Sequence, residues 1–328
     1  MKKPALVKTA PPHLKAEMKI PKAMRDVFIA LIPVSILAIY FFGQNAVINI
    51  VAALIAAAIS EVVMRKLLDK PVTLHDFSAL LTGLLVALLF PPTTSWWTVA
   101  IAAFLAVGIA KELMGGLGWN RFNPALVGYV IITFVASWFP FLNKTQLIPV
   151  EGVTQATPLA MLNHGGMEMP ALGELIVGFP TGNMAGAMVE VAPLAVLVGA
   201  AYLFIRKHIG WQIPVSIIAT VMFLTLIAGE NPLYHIFTGG IMLGAFFMAT
   251  DWVTSPITPK GKIIFGVAIG VLIVVFRLLL PPTEGVAFSI LIMNAFVPLI
   301  EHYTRRPSFS DPKSASSAQG AQGAQAKS

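Results

Sequence analysis

The chain has 328 residues, of which 57% are hydrophobic and only 11% are charged, and its formal net charge is +7. Soluble domains carry roughly 25% charged residues, so this composition excludes an ordinary soluble domain and indicates an integral membrane protein. A mean hydropathy of +0.81 agrees with that class. The positive charge does not predict a nucleic-acid partner, because it is concentrated in the connections between apolar segments, as membrane topology requires.

The chain contains no cysteine. This excludes disulfides and the thiolate ligands of ordinary iron–sulfur clusters and structural zinc sites. The six histidines are scattered along the chain, so no metal site is predicted. Residues 1–23 are polar and basic, and no short apolar core with a cleavage site follows them. We therefore predict no cleavable signal peptide and a basic cytoplasmic segment over 1–23.

Ten apolar segments follow in chain order. A membrane-spanning helix needs about 20 predominantly apolar residues. Eight segments are candidates for such helices: 24–42, 46–64, 95–113, 125–139, 191–205, 213–228, 263–280 and 286–302. Two more, 77–90 and 236–248, are apolar but short. We expect these two to be broken or partial spans, which gives an all-α membrane protein of about ten transmembrane helices.

The distribution of charge predicts the orientation of these spans. If the amino terminus is cytoplasmic, ten spans place every Lys and Arg on the cytoplasmic side except Lys144, in an outer loop, and Arg277, within a span. This agrees with the positive-inside rule. Both termini are then cytoplasmic. The last segment, 305–328, is polar and of low complexity, which is typical of a disordered tail.

The two short segments resemble each other. LLTGLLVALLF (80–90) and IFTGGIMLGAF (236–246) both carry a Thr-Gly pair near the same end. Each is third in a group of five spans, and because five is odd the second group must run inverted to the first. We predict five-helix repeats over 24–139 and 191–304, joined by an outer loop over 140–190. Such segments indicate a binding site between repeats. Alternatively, Gly240 and Gly244 only permit close helix packing.

Four stretches carry a resemblance to a known family: GGLGWNRFNPALVGY (115–129), EGVTQATPLA (151–160), FFMATDWVTSP (246–256) and GVAFSILIMNAFVPLIEHYTRR (285–306). They resemble the D subunits of the Rnf complex, an ion-pumping ferredoxin:NAD oxidoreductase of prokaryotic cytoplasmic membranes. That family is similar to the B subunit of the sodium-pumping NADH:quinone reductase. The resemblance implies FMN bound through a phosphoester to the last threonine of an acid-x-x-Ser/Thr-x-Ala-Thr pattern.

In this sequence the pattern places the FMN on Thr157, with Thr154, Ala156 and Glu151 as further motif positions. The family usually has aspartate where Glu151 stands. A simpler interpretation is that Thr157 and Pro158 begin a short helix. The two are compatible, because a helix amino terminus favours an anionic phosphate. A threonine hydroxyl is a poor nucleophile without a base, so the resemblance also implies a separate flavin transferase outside the cytoplasm.

The segment WNRFNPA (119–125) begins the fifth predicted span. Asn120 and Asn123 are candidates to cap that helix. The resemblance also implies a second, non-covalent flavin, riboflavin, between the repeats, and these asparagines are candidates to bind it. Thr250 and Asp251 are the corresponding candidates at the end of the short segment in the second half.

Two ionisable residues lie inside predicted spans. Glu61 precedes Arg65 by four residues, which favours a snorkelling ion pair; a role in the cation path is the alternative. Arg277 lies near the outer face, where it either snorkels outward or offsets the negative charge of a flavin. Five aromatic residues are expected to form an outer interfacial belt: Phe90, Trp96, Trp97, Trp138 and Phe139.

The resemblance implies a flavin-carrying protein that passes electrons between ferredoxin and NAD, coupled to Na⁺ or H⁺ translocation. Its expected partners are the other Rnf proteins, namely the flavin-bearing G subunit, the A and E membrane subunits and the C and B cytoplasmic subunits. The main alternative is a small-solute channel or transporter, because the expected fold is similar to that of urea channels. A second alternative is a purely structural membrane component.

Overall fold

The computed structural model describes residues 20–138, 171–177, 187–190, 193–279 and 285–305. Within these ranges the chain forms helices and no strand, which confirms the predicted all-α class. The first part contains α1 (Ile20–Ala30), α2 (Ile32–Phe42), α3 (Gln44–Leu67), α4 (Ser78–Leu89), α5 (Trp96–Leu105) and α6 (Pro124–Trp138). The remainder contains α7 (Leu172–Val177), α8 (Pro193–Ile205), α9 (Gln212–Ile227), α10 (Pro232–Phe237), α11 (Ile241–Leu243), α12 (Pro259–Leu279) and α13 (Gly285–Thr304).

Five helical stretches of the described residues are long and apolar enough to cross a membrane: Ile20–Phe42, Gln44–Leu67, Trp96–Leu113, Pro259–Leu279 and Gly285–Thr304. Four shorter apolar helices, α4, α6, α8 and α9, accompany them. Their outward sides carry large exposed apolar side chains, such as Ile36 and Phe223, which lipid would cover. The chain is therefore a multi-pass membrane protein.

The first span is divided at Leu31 into α1 and α2. Pro33 lies at the beginning of α2, and because proline lacks an N–H and clashes with the preceding turn, it interrupts the helical hydrogen bonds. The sequence predicted one uninterrupted helix here.

Helices pack most extensively in the pairs α3–α5 and α9–α12. Contacts of α8 with α1 and α2, and of α6 with α13, join the first part of the chain to the second. Small residues permit this close approach. A Cβ atom on Gly83 of α4 would lie 2.8 Å from the Cβ of Ala57 on α3, and one on Gly199 of α8 would collide with the carbonyl oxygen of Ala30 on α1.

The two short apolar segments are interrupted in different ways. Phe77, just before α4, has a left-handed backbone (φ 63°), and Gly240, just before α11, has a similar one (φ 70°). Thr82 and Gly83 lie inside α4, whereas Thr238 and Gly239 lie in the gap between α10 and α11. The Thr-Gly pairs matched in the sequence therefore occupy different places. The two left-handed residues occupy similar places, because each directly precedes a helix of its segment.

The two glycines of the second segment differ as well. A Cβ on Gly244 would lie 2.5 Å from Cγ1 of Val286 on α13, so close packing explains that glycine. Nothing crowds Gly240, and its positive φ is the feature that favours glycine there.

Candidate functional site

A cavity lies between the first and second parts of the chain and is lined by residues of both. It brings together four residues that the sequence singled out: Asn120, Asn123, Thr250 and Asp251. Apolar side chains of α1, α4 and the segment after α11, such as Val27, Leu85 and Phe246, form much of the rest of its wall. Apolar walls with a few convergent polar groups are the usual features of a cofactor site.

Asn123 caps α6. Its Oδ1 accepts hydrogen bonds from the backbone N–H groups of Ala125 (3.1 Å) and Leu126 (3.4 Å). Its Nδ2 donates to the carbonyl oxygen of Met248 (3.3 Å), and its own N–H donates to Oδ1 of Asn294 (3.1 Å). The capping interpretation is confirmed for Asn123, which also joins the two parts of the chain.

Asn120 does not cap α6. Its Nδ2 donates to the carbonyl oxygen of Phe122 at 3.3 Å. Its Oδ1 is buried and accepts no hydrogen bond from the residues that the structure describes. A buried amide oxygen without a donor is costly, and Asn120 lines the cavity. Asn120 is therefore better suited to binding a ligand than Asn123.

Thr250 and Asp251 shape the opposite wall. The Thr250 hydroxyl donates to the carbonyl oxygen of Phe246 at 2.6 Å. Asp251 Oδ2 accepts from the Thr254 hydroxyl at 3.0 Å. Burial raises the pKa of the Asp251 carboxyl above its ordinary value, although the hydrogen bonds it accepts lower it. These contacts hold a tight turn against the cavity.

A buried histidine that the sequence did not single out also lines the cavity. His208 Nε2 lies 2.7 Å from Oδ2 of Asp26 on α1, and Arg206 donates to the same oxygen from Nε (3.2 Å) and Nη2 (3.0 Å). The Asp26 carboxylate raises the pKa of Arg206 through these bonds. Trp252 Nε1 donates to the carbonyl oxygen of His208 at 2.7 Å. In the sequence, this network was indicated by Asp26, a carboxylate at the edge of an apolar span.

A second buried network surrounds Lys111, which is 1% exposed and also lines the cavity. Its Nζ donates to Oε2 of Glu61 (3.1 Å) and to Oγ of Ser78 (2.5 Å) and lies 3.4 Å from Oε1 of Glu112. Arg65 Nε lies 3.0 Å from Glu112 and 3.8 Å from Glu61. The predicted Glu61–Arg65 pair is confirmed, but snorkelling is wrong, because Glu61 is fully buried.

Two π-helical segments reach the cavity. Ala106–Leu113 carries Lys111, and Gly244–Met248 carries Phe246 and Phe247. π-Helical turns are rare in proteins, and those that occur often lie at functional sites. Both segments follow an ordinary α-helix directly, so the change of pitch redirects the side chains that face the cavity.

Arg277 lies away from this cavity. It is 2% exposed, and its guanidinium donates to the carbonyl oxygens of His235 (2.6 Å) and Thr238 (2.8 Å). The prediction that Arg277 snorkels outward is therefore wrong. The side chain binds the backbone at the gap between α10 and α11, and a role toward a flavin stays a prediction.

The outer aromatic belt stays a prediction, and its proposed members differ in exposure. Trp96 and Trp138 are exposed on the outside of the helices. Phe90 is buried and packs edge-on against Tyr129, with ring centroids 5.0 Å apart, so its assignment to the belt was wrong. Phe139 lies outside the described residues.

The motif residues Thr157, Thr154, Ala156 and Glu151 also lie outside the described residues. The covalent flavin site and the short helix after Thr157 therefore stay predictions. Among the residues that the structure describes, no cluster of potential metal ligands occurs.

Comparison with known proteins gives a consistent result. The family described as NQR2, RnfD, RnfE matches residues 7–310. The chain is 38% identical over 302 residues to the D subunit of the Na(+)-translocating ferredoxin:NAD(+) oxidoreductase complex of Acetobacterium woodii, covering 92% of this chain and 94% of that protein. It is 38% identical over 324 residues to the D subunit of the proton-translocating ferredoxin:NAD(+) oxidoreductase complex of Clostridium ljungdahlii, covering 94% and 97%. With the D subunit of the ion-translocating oxidoreductase complex of Cronobacter sakazakii it shares 36% identity over 335 residues, covering 90% and 96%.

Proposed function

The chain belongs to the NQR2, RnfD, RnfE family, and on this premise we propose that it is the D subunit of an Rnf-type electron-transport complex. Three relatives that match it over nearly their whole length are named as D subunits of ion-translocating oxidoreductase complexes. In this proposal the chain carries electrons through bound flavin between ferredoxin and NAD, and the transfer drives an ion outward. The protein positions the flavin and controls its surroundings, and the flavin supplies the redox chemistry.

We place a covalent FMN on Thr157. The acid-x-x-Thr-x-Ala-Thr pattern of residues 151–157 supports this position. So does the prediction that the 140–190 loop lies outside the cytoplasm, where a flavin transferase would reach it.

We place a non-covalent riboflavin in the cavity beside α1, α4 and α6. The observation that supports this most directly is Asn120 Oδ1, a buried acceptor without a donor among the described residues of a largely apolar cavity. An isoalloxazine ring has an imide N–H that suits this acceptor. Its flat apolar faces suit Leu85 and Phe246 on the walls. Asn120, Thr250 and Asp251 would hold the ring, and Asn123 would support the wall.

We propose ten spans in two inverted repeats, with both termini cytoplasmic in the inner membrane. Two features support this arrangement. The second and fourth spans of each proposed repeat, α3 with α5 and α9 with α12, form the two most extensive helix contacts. In the third span of each, a left-handed residue, Phe77 or Gly240, directly precedes a helix, α4 or α11.

The partners in this proposal are the remaining Rnf proteins: the flavin-bearing G subunit, the A and E membrane subunits, and the C and B cytoplasmic subunits. The transported ion is Na⁺ or H⁺. The relative named for Na⁺ and the relative named for protons are each 38% identical to this chain, so overall similarity does not select the ion.

One experiment tests both flavin sites. The chain is purified from a host that has the flavin transferase and is then denatured with acid. Covalent FMN is seen as a fluorescent band on a denaturing gel, and riboflavin is measured by chromatography of the supernatant. We expect Thr157→Ala to lose the band and keep the riboflavin, and Thr157→Ser to keep both. A dark band and a flavin-free supernatant from the unsubstituted chain would contradict the proposal and favour a solute channel.

A further inference from the structure

His208 separates two cavities. It lines the cavity proposed for riboflavin and also a neighbouring one. Thr250 and Trp252 are shared by both walls, and Lys262 lies at the second cavity. This second, polar cavity has nearly equal polar and apolar character, whereas the riboflavin cavity is mainly apolar. A polar space of this kind suits water.

The contacts of His208 leave one ring nitrogen available to exchange a proton. Oδ2 of Asp26 lies 2.7 Å from Nε2, and because an ionised carboxylate can only accept, Nε2 carries the proton. Nδ1 then has a lone pair in the neutral ring and a proton in the charged ring. Nδ1 is buried, and no described residue forms a hydrogen bond with it.

We propose that Asp26 and His208 form a proton-exchange pair that serves the molecule bound in the riboflavin cavity. This inference rests on the proposed riboflavin site. When the partner flavoprotein supplies electrons, the Nδ1–H bond breaks and the proton forms a bond to a basic ring heteroatom of that molecule. Water in the polar cavity returns a proton to Nδ1. Asp26 stays ionised throughout and acts as a positioning residue that fixes the ring and its tautomer.

Other charged groups around the ring set its electrostatic environment. Arg206 shares the Asp26 carboxylate, which limits how much of that negative charge acts on His208. Asp251 and Lys111 lie along the riboflavin cavity, and Lys262 lies along the polar one. The direct 2.7 Å contact with Asp26 is the closest of these interactions.

The test uses His208→Gln in the full chain purified with its flavin. Gln keeps a hydrogen-bonding side chain but does not titrate. Flavin content is measured by chromatography, and the rate of reduction of the bound flavin by dithionite is measured across pH 5 to 8, where an imidazole changes charge. We expect unchanged flavin content, a rate lowered by about 100-fold and loss of its pH dependence. His302→Gln, at an exposed histidine near the end of α13, is the matched control and should retain the original profile.

Asp26→Asn provides a second readout that does not need His208 to be changed. Without the carboxylate the His208 ring loses its closest hydrogen-bond partner, so the pH profile of the reduction rate should change while riboflavin stays bound. Unchanged profiles in either variant with normal flavin content would overturn the proton-exchange pair and leave the proposed function intact. An unsubstituted chain that contains FMN but no riboflavin would overturn both the cavity assignment and the pair.

Discussion

The two interrupted segments are stabilised by different means. At the first, Lys111 reaches Ser78 at the beginning of α4 and is paired with Glu61 and Glu112. At the second, Arg277 donates to the backbone carbonyls of His235 and Thr238. Both cations are among the largest fully buried side chains, and each lies near the end of the long helix that follows the interrupted segment of its half.

The difference shows which property of each cation matters. The first site is a network of opposite charges, so the positive charge of Lys111 is its main contribution. The second is a set of backbone acceptors at a helix end, where a planar guanidinium with several N–H donors in a fixed geometry is needed. Glu190 adds an electrostatic contribution there. Removing a buried charge from either site is expected to cost several kcal/mol, because its partners stay buried.

The largest effect is expected for Arg277→Met, at about 4 kcal/mol of unfolding free energy, because several carbonyl groups lose their donor. Arg277→Lys should recover less than half of the loss, since an ammonium cannot reproduce the guanidinium geometry. Thermal unfolding in detergent measures both. Arg305→Met, at an exposed position, is the control. Full recovery by lysine would show that charge alone matters at this site.

Lys111→Met should cost about 3 kcal/mol, because Glu61 and Glu112 would share a buried site with only Arg65. Here the second substitution is informative: Glu61→Gln added to Lys111→Met should restore part of the stability. Lys66→Met, on the exposed side of α3, is the matched control. If the double variant is no more stable than the single one, the network is not governed by charge balance.

A smaller contrast concerns the glycines of the two segments. Gly83→Ala should cost about 2 kcal/mol, because the new methyl group would lie 2.9 Å from the backbone oxygen of Ala53. Gly244→Ala should cost about 1 kcal/mol, since it meets the side chain of Val286. Gly173→Ala has open space around it and serves as control in the same thermal measurement. The reverse order would mean that α13 is packed more rigidly than α3.

The smallest change in stability is expected at Asn120. Asn120→Ala should alter unfolding by only about 0.5 kcal/mol, because loss of the bond to Phe122 is offset by removal of a buried acceptor without a donor. It should nevertheless remove most of the non-covalent flavin. Asn123→Ala should lose a helix cap at a cost of about 1 kcal/mol while retaining more flavin. Flavin content per chain, measured beside thermal unfolding, separates the two asparagines. Equal flavin loss in both variants would contradict the distinction.

Sequence reasoning was most successful where the interaction is local. The apolar segments follow from the length of a membrane-crossing helix, and the Asn123 cap follows from hydrogen bonds to residues two and three positions away. The pairing of Lys111 with Glu61, 50 residues apart, and of His208 with Asp26, 182 residues apart, has no local signature. For the same reason Phe90, beside an outer loop in the sequence, proved to be buried against Tyr129.

The left-handed residues were missed for another reason. Phe77 is an unusual residue for a positive φ, so nothing in its identity signals the interruption before α4. The Thr-Gly pairs match in the sequence, but their glycines differ in role. Gly83 permits close packing of α4 against α3, whereas Gly239 lies in the gap before α11. The same Thr-Gly sequence therefore meets different structural requirements in the two segments.

Mass spectrometry of chymotryptic peptides from the native complex tests most directly whether this chain carries flavin covalently. We predict that the peptide containing Thr157 carries the added mass of FMN joined through its phosphate, with fragmentation placing the group on that threonine. Recovery of that peptide in unmodified form alone, from active complex, would contradict the covalent site.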